Sequence, residues 1–285
     1  MSSATVVLVS DSHLGRNHAY FQDNWEAFLA EMEILKPDLV IHGGDVSFNG
    51  PDVPDDIRFA REQIARLRVP WVAIPGNHDI GEPGNNPRLK QPVTADRLGV
   101  WRDVFGADRH VLDVAGWRLV LLNSELLGSG MDEERAQWEM LAEALAGAEG
   151  RQLGLILHKP LFQMTPDEAE PNGSCVHPGP RRPVLALARE HGVRFIASGH
   201  LHTWRRFALD GTDFVWAPTT AFITPGRFAD AGGIARVGYT VWRFEGDSYS
   251  VDYVQPPLFV NVDITNWSTQ KGSSISLPPL PHRPR

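Results

Sequence analysis

The stretch "WVAIPGNHDIG", residues 71–81, decides how this chain is read. An apolar run ending in Val72-Ala73-Ile74 breaks at Pro75-Gly76 and then presents an amide, an imidazole and a carboxylate in consecutive positions. Pro and Gly together stop a strand and permit a tight turn. Asn77, His78 and Asp79 are therefore expected just past a strand's carboxyl end, where open α/β sheets bind their ligands. Asn and Asp also favour ordinary turns, so the neighbouring segments have to decide.

Upstream, residues 5–10 and 39–41 read as strands, and 21–35 sets Trp25, Phe28, Leu29, Met32 and Leu35 at helical spacing. Residues 57–67 read as a helix before the strand at 71–74. Strand-helix-strand-helix-strand with short connections predicts a parallel sheet with right-handed crossovers. Downstream come a helix at 94–105, a strand at 117–123, a helix at 133–145, strands at 153–157 and 193–197, and a helix at 184–191 between those two. From 203 onward the strand-like runs 205–209, 214–217, 237–244 and 249–254 have no helices between them, which predicts an antiparallel sheet or edge. The simplest architecture is one domain with two packed sheets over residues 1–254. A Pro-rich extension, 255–285, would come after it, ending in "SISLPPLPHRPR" and reading as a solvated tail.

Composition narrows the function classes. The 285 residues are 42% hydrophobic and 22% charged, as in a globular α/β protein. A formal charge of −8 without a basic stripe argues against a nucleic-acid polymer or an anionic membrane as partner. Cys175 is the single cysteine, so neither an intrachain disulfide nor a thiolate metal cluster can form. The N-terminal apolar run is too short for a signal peptide and lacks its basic region, which leads to a cytoplasmic expectation.

Five predicted strands end in side chains that ligate metals: Asp11 and His13, Asp45, Asn77 with His78 and Asp79, His158, and His200 with His202. On one parallel sheet, all of them would fall along one edge. Asp11 and Asp45 lie 34 positions apart, and Asp45 and Asn77 lie 32 apart, each about the length of one βαβ unit. Carboxylate and imidazole donors suit Mn, Fe and Zn, and a carboxylate can bridge two ions. Asp11, His13, Asp45, Asn77, His158, His200 and His202 are too many for one open site and about right for two metal ions with positions left for water and substrate. His200 and His202 flank one residue, so an extended backbone points both to one side. Two divalent ions against Asp11, Asp45 and a shared hydroxide leave about one positive charge, which suits a phosphate ester.

The pattern D-x-H, G-D, G-N-H-D, H and G-H-x-H, here Asp11-Ser12-His13, Gly44-Asp45, Gly76-Asn77-His78-Asp79, His158 and Gly199-His200-Leu201-His202, resembles that of the calcineurin-like metallophosphoesterases. The resemblance implies a four-layer αββα sandwich around a dinuclear centre. Carried over, Asp11, His13 and His202 would hold one ion and Asn77, His158 and His200 the other, with Asp45 bridging. His78 would donate a proton to the leaving-group oxygen, with Asp79 orienting it. Many relatives carry a second histidine after the one matched by His158; here Lys159 takes that place. "SDSHLG" and the 127–145 segment look most like bacterial class III cyclic-nucleotide phosphodiesterases and related glycerophosphodiesterases.

The Pro- and Gly-rich segment 163–183 is expected as a loop over the site, from which His177, Arg181 and Arg182 could reach a substrate anion or equally remain solvated. His42 could support the centre or simply pack. Among basic residues, Arg16, Lys90, Arg181 and Arg182 are the ones expected near the site. The expectation is hydrolysis of small phosphodiesters such as 3′,5′-cyclic nucleotides by a metal-bridging hydroxide. The alternatives are a phosphomonoesterase, a diesterase for non-nucleotide substrates, and a non-catalytic binding module; assembly as a homodimer is left open.

Overall fold

A computed structural model describes residues 2–84, 90–169, 173–265 and 267 of the chain, so the stretch 274–285 lies outside the described residues. In chain order the elements are β1 (Ser3–Val9), α1 (Gln22–Leu35), β2 (Leu39–His42), α2 (Pro54–Ile64), β3 (Trp71–Ala73), α3 (Asn77–Ile80), α4 (Ala95–Phe105), β4 (His110–Val114), β5 (Trp117–Leu122), α5 (Asp132–Ala146), β6 (Gln152–Leu157), α6 (Pro178–Glu190), β7 (Phe195–Ser198), β8 (Arg205–Leu209), β9 (Thr212–Trp216), β10 (Phe222–Ile223), β11 (Tyr239–Glu245), β12 (Ser248–Val254) and β13 (Val262–Asp263).

The period-two alternation of the strands builds the layers. In β1, Val7 and Val9 join Trp25, Phe28, Met32, Ile64 and Trp101 under α1, α2 and α4, while Val6 and Leu8 face the other sheet. In β5, Leu119 and Leu121 meet Val6 and Leu8 between the sheets, and Val120 and Leu122 pack under α5 and α6 with Leu141 and Val184. Two sheets back to back, each covered by helices, make the four-layer sandwich. Each fully buried Val or Leu of this kind contributes about 1.5–3 kcal/mol, so a one-residue slip that turned β1 over would be costly.

The strand ends do not share one sheet, as the run of βαβ units suggested. One sheet has the order β12-β11-β1-β2-β3, and the other β4-β5-β6-β7-β9-β8. The late strands form antiparallel edges, the second of the two expected arrangements, and not a sheet of their own. The β8/β9 hairpin joins the second sheet through parallel pairing of β9 with β7, and the β11/β12 hairpin joins the first through antiparallel pairing of β11 with β1. Each hairpin covers an edge that would otherwise expose unpaired backbone. Helix α6 starts at Pro178, well before the expected 184, because Pro178 and Pro180 lie in the first turn, where the missing N–H has no intrahelical partner anyway. Beyond β12, Phe259 enters the core and β13 pairs with β10. No helix among the described residues is long and apolar enough to cross a membrane.

Candidate metal centre

The loops after β1 and β2 stay paired beyond the strands: the Asp11 N–H donates to the Gly44 carbonyl at 2.9 Å and the His13 N–H to the Asp45 carbonyl at 3.1 Å. Here the backbone turns left-handed, with φ of 56° at Asp11, 45° at His13, 53° at Asp45, 68° at His200 and 52° at His202. Such angles are uncommon outside glycine, cost roughly 1–3 kcal/mol each, and concentrate where function needs them. Gly76 brings the turn after β3 onto the same spot: a Cβ there would lie 2.3 Å from Asp45 Oδ1 and 2.6 Å from His158 Nε2. Only glycine allows that approach.

Hydrogen bonds to carbonyls set the imidazole tautomers. His158 Nδ1 lies 2.9 Å from the Gly43 carbonyl and His202 Nδ1 2.7 Å from the Phe222 carbonyl. A carbonyl only accepts, so each Nδ1 carries the proton and each Nε2 presents its lone pair. These lone pairs point at carboxylate oxygens, His158 Nε2 at Asp45 Oδ2, 3.2 Å away, and His202 Nε2 at Asp11 Oδ1, 3.3 Å away, while His13 Nε2 lies 3.2 Å from His202 Nε2 as its hydrogen-bond partner. Asp11 Oδ1, Asn77 Oδ1 and His158 Nε2 are buried without a hydrogen-bond partner. Buried acceptors facing one another are unfavourable unless a cation lies between them. The donor atoms form three overlapping triplets, each within 4.8 Å: Asp11, His13 and His202; His13, Asp45 and His78; Asp45, His158 and His200. Asp45 and His13 each belong to two of them. Oxygen and imidazole donors of this kind fit two divalent transition-metal ions.

The electrostatics show the same demand. Burial alone would raise the Asp45 and Asp11 carboxyls, but the facing imidazoles, His158 above all for Asp45 and His202 for Asp11, hold both well below the carboxylate range. Burial likewise opposes a charge on His158, yet the Asp45 carboxylate prevails and pushes the ring up to about 10. With the ring so raised, a proton on His158 Nε2 faces Asp45 Oδ2, and that nitrogen presents its lone pair only once a cation displaces the proton. His13 and His200 lie well below their ordinary value, through burial and then neighbouring imidazoles, and so stay neutral and ready to ligate.

His78 sits at the rim with its ring edge-on to His13, its Nδ1 held by the Phe48 carbonyl at 2.8 Å and its N–H donating to Asp45 Oδ1 at 2.7 Å. This corrects the expectation for Asp79, which does not orient the His78 ring. Its carboxylate instead accepts from the backbone N–H groups of Val46, Ser47 and Gly76 and from Ser47 Oγ, tying the β3 turn to the β2 loop. Burial, then the nearby Asp45 charge, pushes Asp79 up to about 6. His42 is buried with its Nε2 on Ser12 Oγ at 2.9 Å, supporting the β1 loop, and burial pushes it down to about 3. Cys175 is buried, its thiol pushed up to about 12 by desolvation, as suits an inert side chain.

The expected substrate contacts fare differently. The Arg181 side chain is buried and spends its donors on the carbonyls of Val176, Pro166 and Glu168, so it secures the 163–183 segment. Arg16 pairs with Asp55 and Glu62. His177 feels the charges of Lys159 and Glu82, and Arg182 is exposed on α6. A cleft of about 100 Å³ opens over Asp45, His78, His200 and His202, and its outer wall carries Ser174, Thr224, Arg227 and Phe228. Arg227 is the cation that sequence reasoning missed. It lies 25 positions beyond His202 in a stretch with no motif, and only its Pro-Gly turn, Pro225-Gly226, hints that a loop presents it.

Residues 4–204 match the family model of the calcineurin-like phosphoesterases. The chain is 28% identical over 173 residues to a probable glycerophosphodiester phosphodiesterase, GpdQ, of Arcobacter nitrofigilis, a match covering 59% of this chain and 57% of that protein. The chain thus spans little more than half the length of the Arcobacter protein. It is 26% identical over 224 residues to the 3′,5′-cyclic adenosine monophosphate phosphodiesterase CpdA of Escherichia coli K12, a match covering 75% of each. Among solved structures it is similar to a dimetal phosphatase from Danio rerio, with a TM-score of 0.59 and 14% identity over 88% of this chain and 95% of that one, a likeness of fold.

Proposed function

The chain belongs to the calcineurin-like phosphoesterases, and from that premise we propose that it is a dinuclear, metal-dependent phosphodiesterase acting on small phosphodiesters, with 3′,5′-cyclic nucleotides the leading class. The observation that carries this reading is the set of buried, unpartnered atoms Asp11 Oδ1, Asn77 Oδ1 and His158 Nε2, together with donor triplets that overlap at His13 and Asp45. In this reading, Asp11, His13 and His202 would hold one ion, Asn77, His158 and His200 the other, and Asp45 would serve both. Mn, Fe and Zn suit these donors. When bound, such a pair lowers the pKa of water and neutralises phosphoryl charge.

The chain's own groups do the rest. With two divalent ions held there, the two negative charges of Asp11 and Asp45 would leave the floor cationic in a chain of net charge −8. His78, its Nδ1–H fixed by the Phe48 carbonyl, leaves Nε2 as the nitrogen that exchanges a proton with the leaving-group oxygen, acting as an acid in its doubly protonated form. Arg227 meets the anionic oxygens from the outer wall, and the small cleft admits one ester group more readily than a polymer.

A second reading, phosphomonoester hydrolysis, draws support from Arg227, a cation beyond those expected near the site. Measuring kcat/KM with Mn²⁺ on cyclic AMP, bis-nitrophenyl phosphate, glycerophosphodiesters and nitrophenyl phosphate separates the two. The diesters are expected to lead, and a clear preference for the monoester overturns the diester reading.

A further inference from the structure

Lys159 is almost fully buried, which is rare for lysine unless the charge is paired. Its ammonium contacts Glu82 and lies 3.2 Å from Glu125 Oε2. Its backbone N–H donates to Ser124 Oγ at 3.0 Å, and that hydroxyl donates to Glu125 Oε1 at 2.9 Å, so the residue is gripped at both ends. Glu82 is no loose surface carboxylate. Its N–H donates to the Gln91 carbonyl at 2.7 Å, and its carbonyl accepts from Val93 at 2.8 Å.

The chain positions of these groups give the cluster its meaning. Lys159 directly follows His158 at the end of β6, in the second sheet, and Glu82 lies in the loop that leaves Asn77 and α3, after β3 of the first sheet. Asp11 and His200, from opposite sheets, are already joined by the His200 N–H donating to Asp11 Oδ2 at 2.9 Å. Between the loop 75–82 and the loop 157–160, no backbone hydrogen bond forms among the described residues. Beside the close approach of Gly76 to the His158 ring, the Lys159–Glu82 pair ties these two loops through side chains. Burying such a pair is often no more stabilising than an apolar replacement, so a role in specifying geometry is the better physical account.

We infer that Lys159 and Glu82, backed by Glu125, form a positioning clamp that holds Asn77 and His158 at the separation one ion requires, an inference that rests on the dinuclear reading above. The probe is Mn²⁺ titrated by calorimetry into metal-stripped protein in two backgrounds: His202→Ala, which retains the Asn77/His158/His200 set, and His200→Ala, which retains the Asp11/His13/His202 set. Groups that orient ligands are typically worth 10–100-fold in metal affinity, so Glu82→Gln should weaken the remaining ion about tenfold in the first background and less than about twofold in the second. Lys159→Met should behave the same way; if it does not fold, Glu82→Gln, at a partly exposed position, still decides. Equal losses in both backgrounds, as from general loosening, overturn the clamp, and so do unchanged affinities. An unmutated chain that takes up fewer than two ions sinks the dinuclear reading itself, whereas two ions with an indifferent Glu82→Gln sink the clamp alone.

Discussion

Asp45, which lines the cleft, and Asp11 and His158 are buried, and strand-end backbone bonds hold the loops that carry them. On the cleft's outer wall, Ser174, Thr224 and Arg227 come from the segment before α6 and the loop after β10, and Arg227 is exposed. The two are stitched together by the second nitrogens of two histidines: His202 Nδ1 meets the Phe222 carbonyl, and His200 Nε2 meets the Gly173 carbonyl at 3.1 Å. Rigid sheets thus set the position of the candidate donor atoms, while loops choose what comes near them. Because the loops are anchored through the ligands' own rings, loop and floor are coupled.

The sharpest way to break this division is Asp45→Ala. It removes the carboxylate shared by two donor triplets, so both ions should leave and kcat/KM should fall by roughly 10³-fold or more, since a single charge-stabilising group is already worth 10²–10³. Elemental analysis checks it, and an unchanged metal content would show that Asp45 is not shared. Next in size is His78→Ala, where floor meets opening. Metal content should hold while kcat drops by roughly 10²- to 10⁴-fold on alkyl esters and much less on nitrophenyl esters, whose leaving group needs no proton. Equal losses on both would remove the acid role.

Arg227→Gln probes the outer wall alone and should have the smallest effect. A hydrogen bond to a charged group contributes about 1.5–3 kcal/mol, so KM should rise at least about tenfold with metal content unchanged and kcat little altered. The rise should be larger for a monoester, which carries more charge. If kcat and metal content fall together instead, the wall is part of the centre and the division fails.

Residues 71–81 were legible because Pro75-Gly76 must end a strand, and the residues just past a strand's carboxyl end in such a sheet face the ligand edge. Asp79 and Arg181 were not, although both belong to segments expected near the site. Asp79 accepts from N–H groups of another strand's loop, and Arg181 donates to carbonyls of its own segment. Neither partner is implied by the identity of the side chain, because a carboxylate or guanidinium serves substrate and backbone equally well.

By itself the sequence determined the βαβ units, the donor atoms and their order, since strand period, helix period and turn chemistry act over a few residues. The tertiary structure decided the division into two sheets, the placing of each late hairpin on an edge, the tautomers, the Lys159–Glu82 contact across the sheets and the presence of Arg227 in the cleft. The physical reason is separation along the chain: β1 pairs with β11, Thr240 Oγ1 donating to the Leu8 carbonyl 232 positions away, and His13 meets His202 across 189. No local pattern records such pairings, because they form only when burial of both sheet faces brings the segments together.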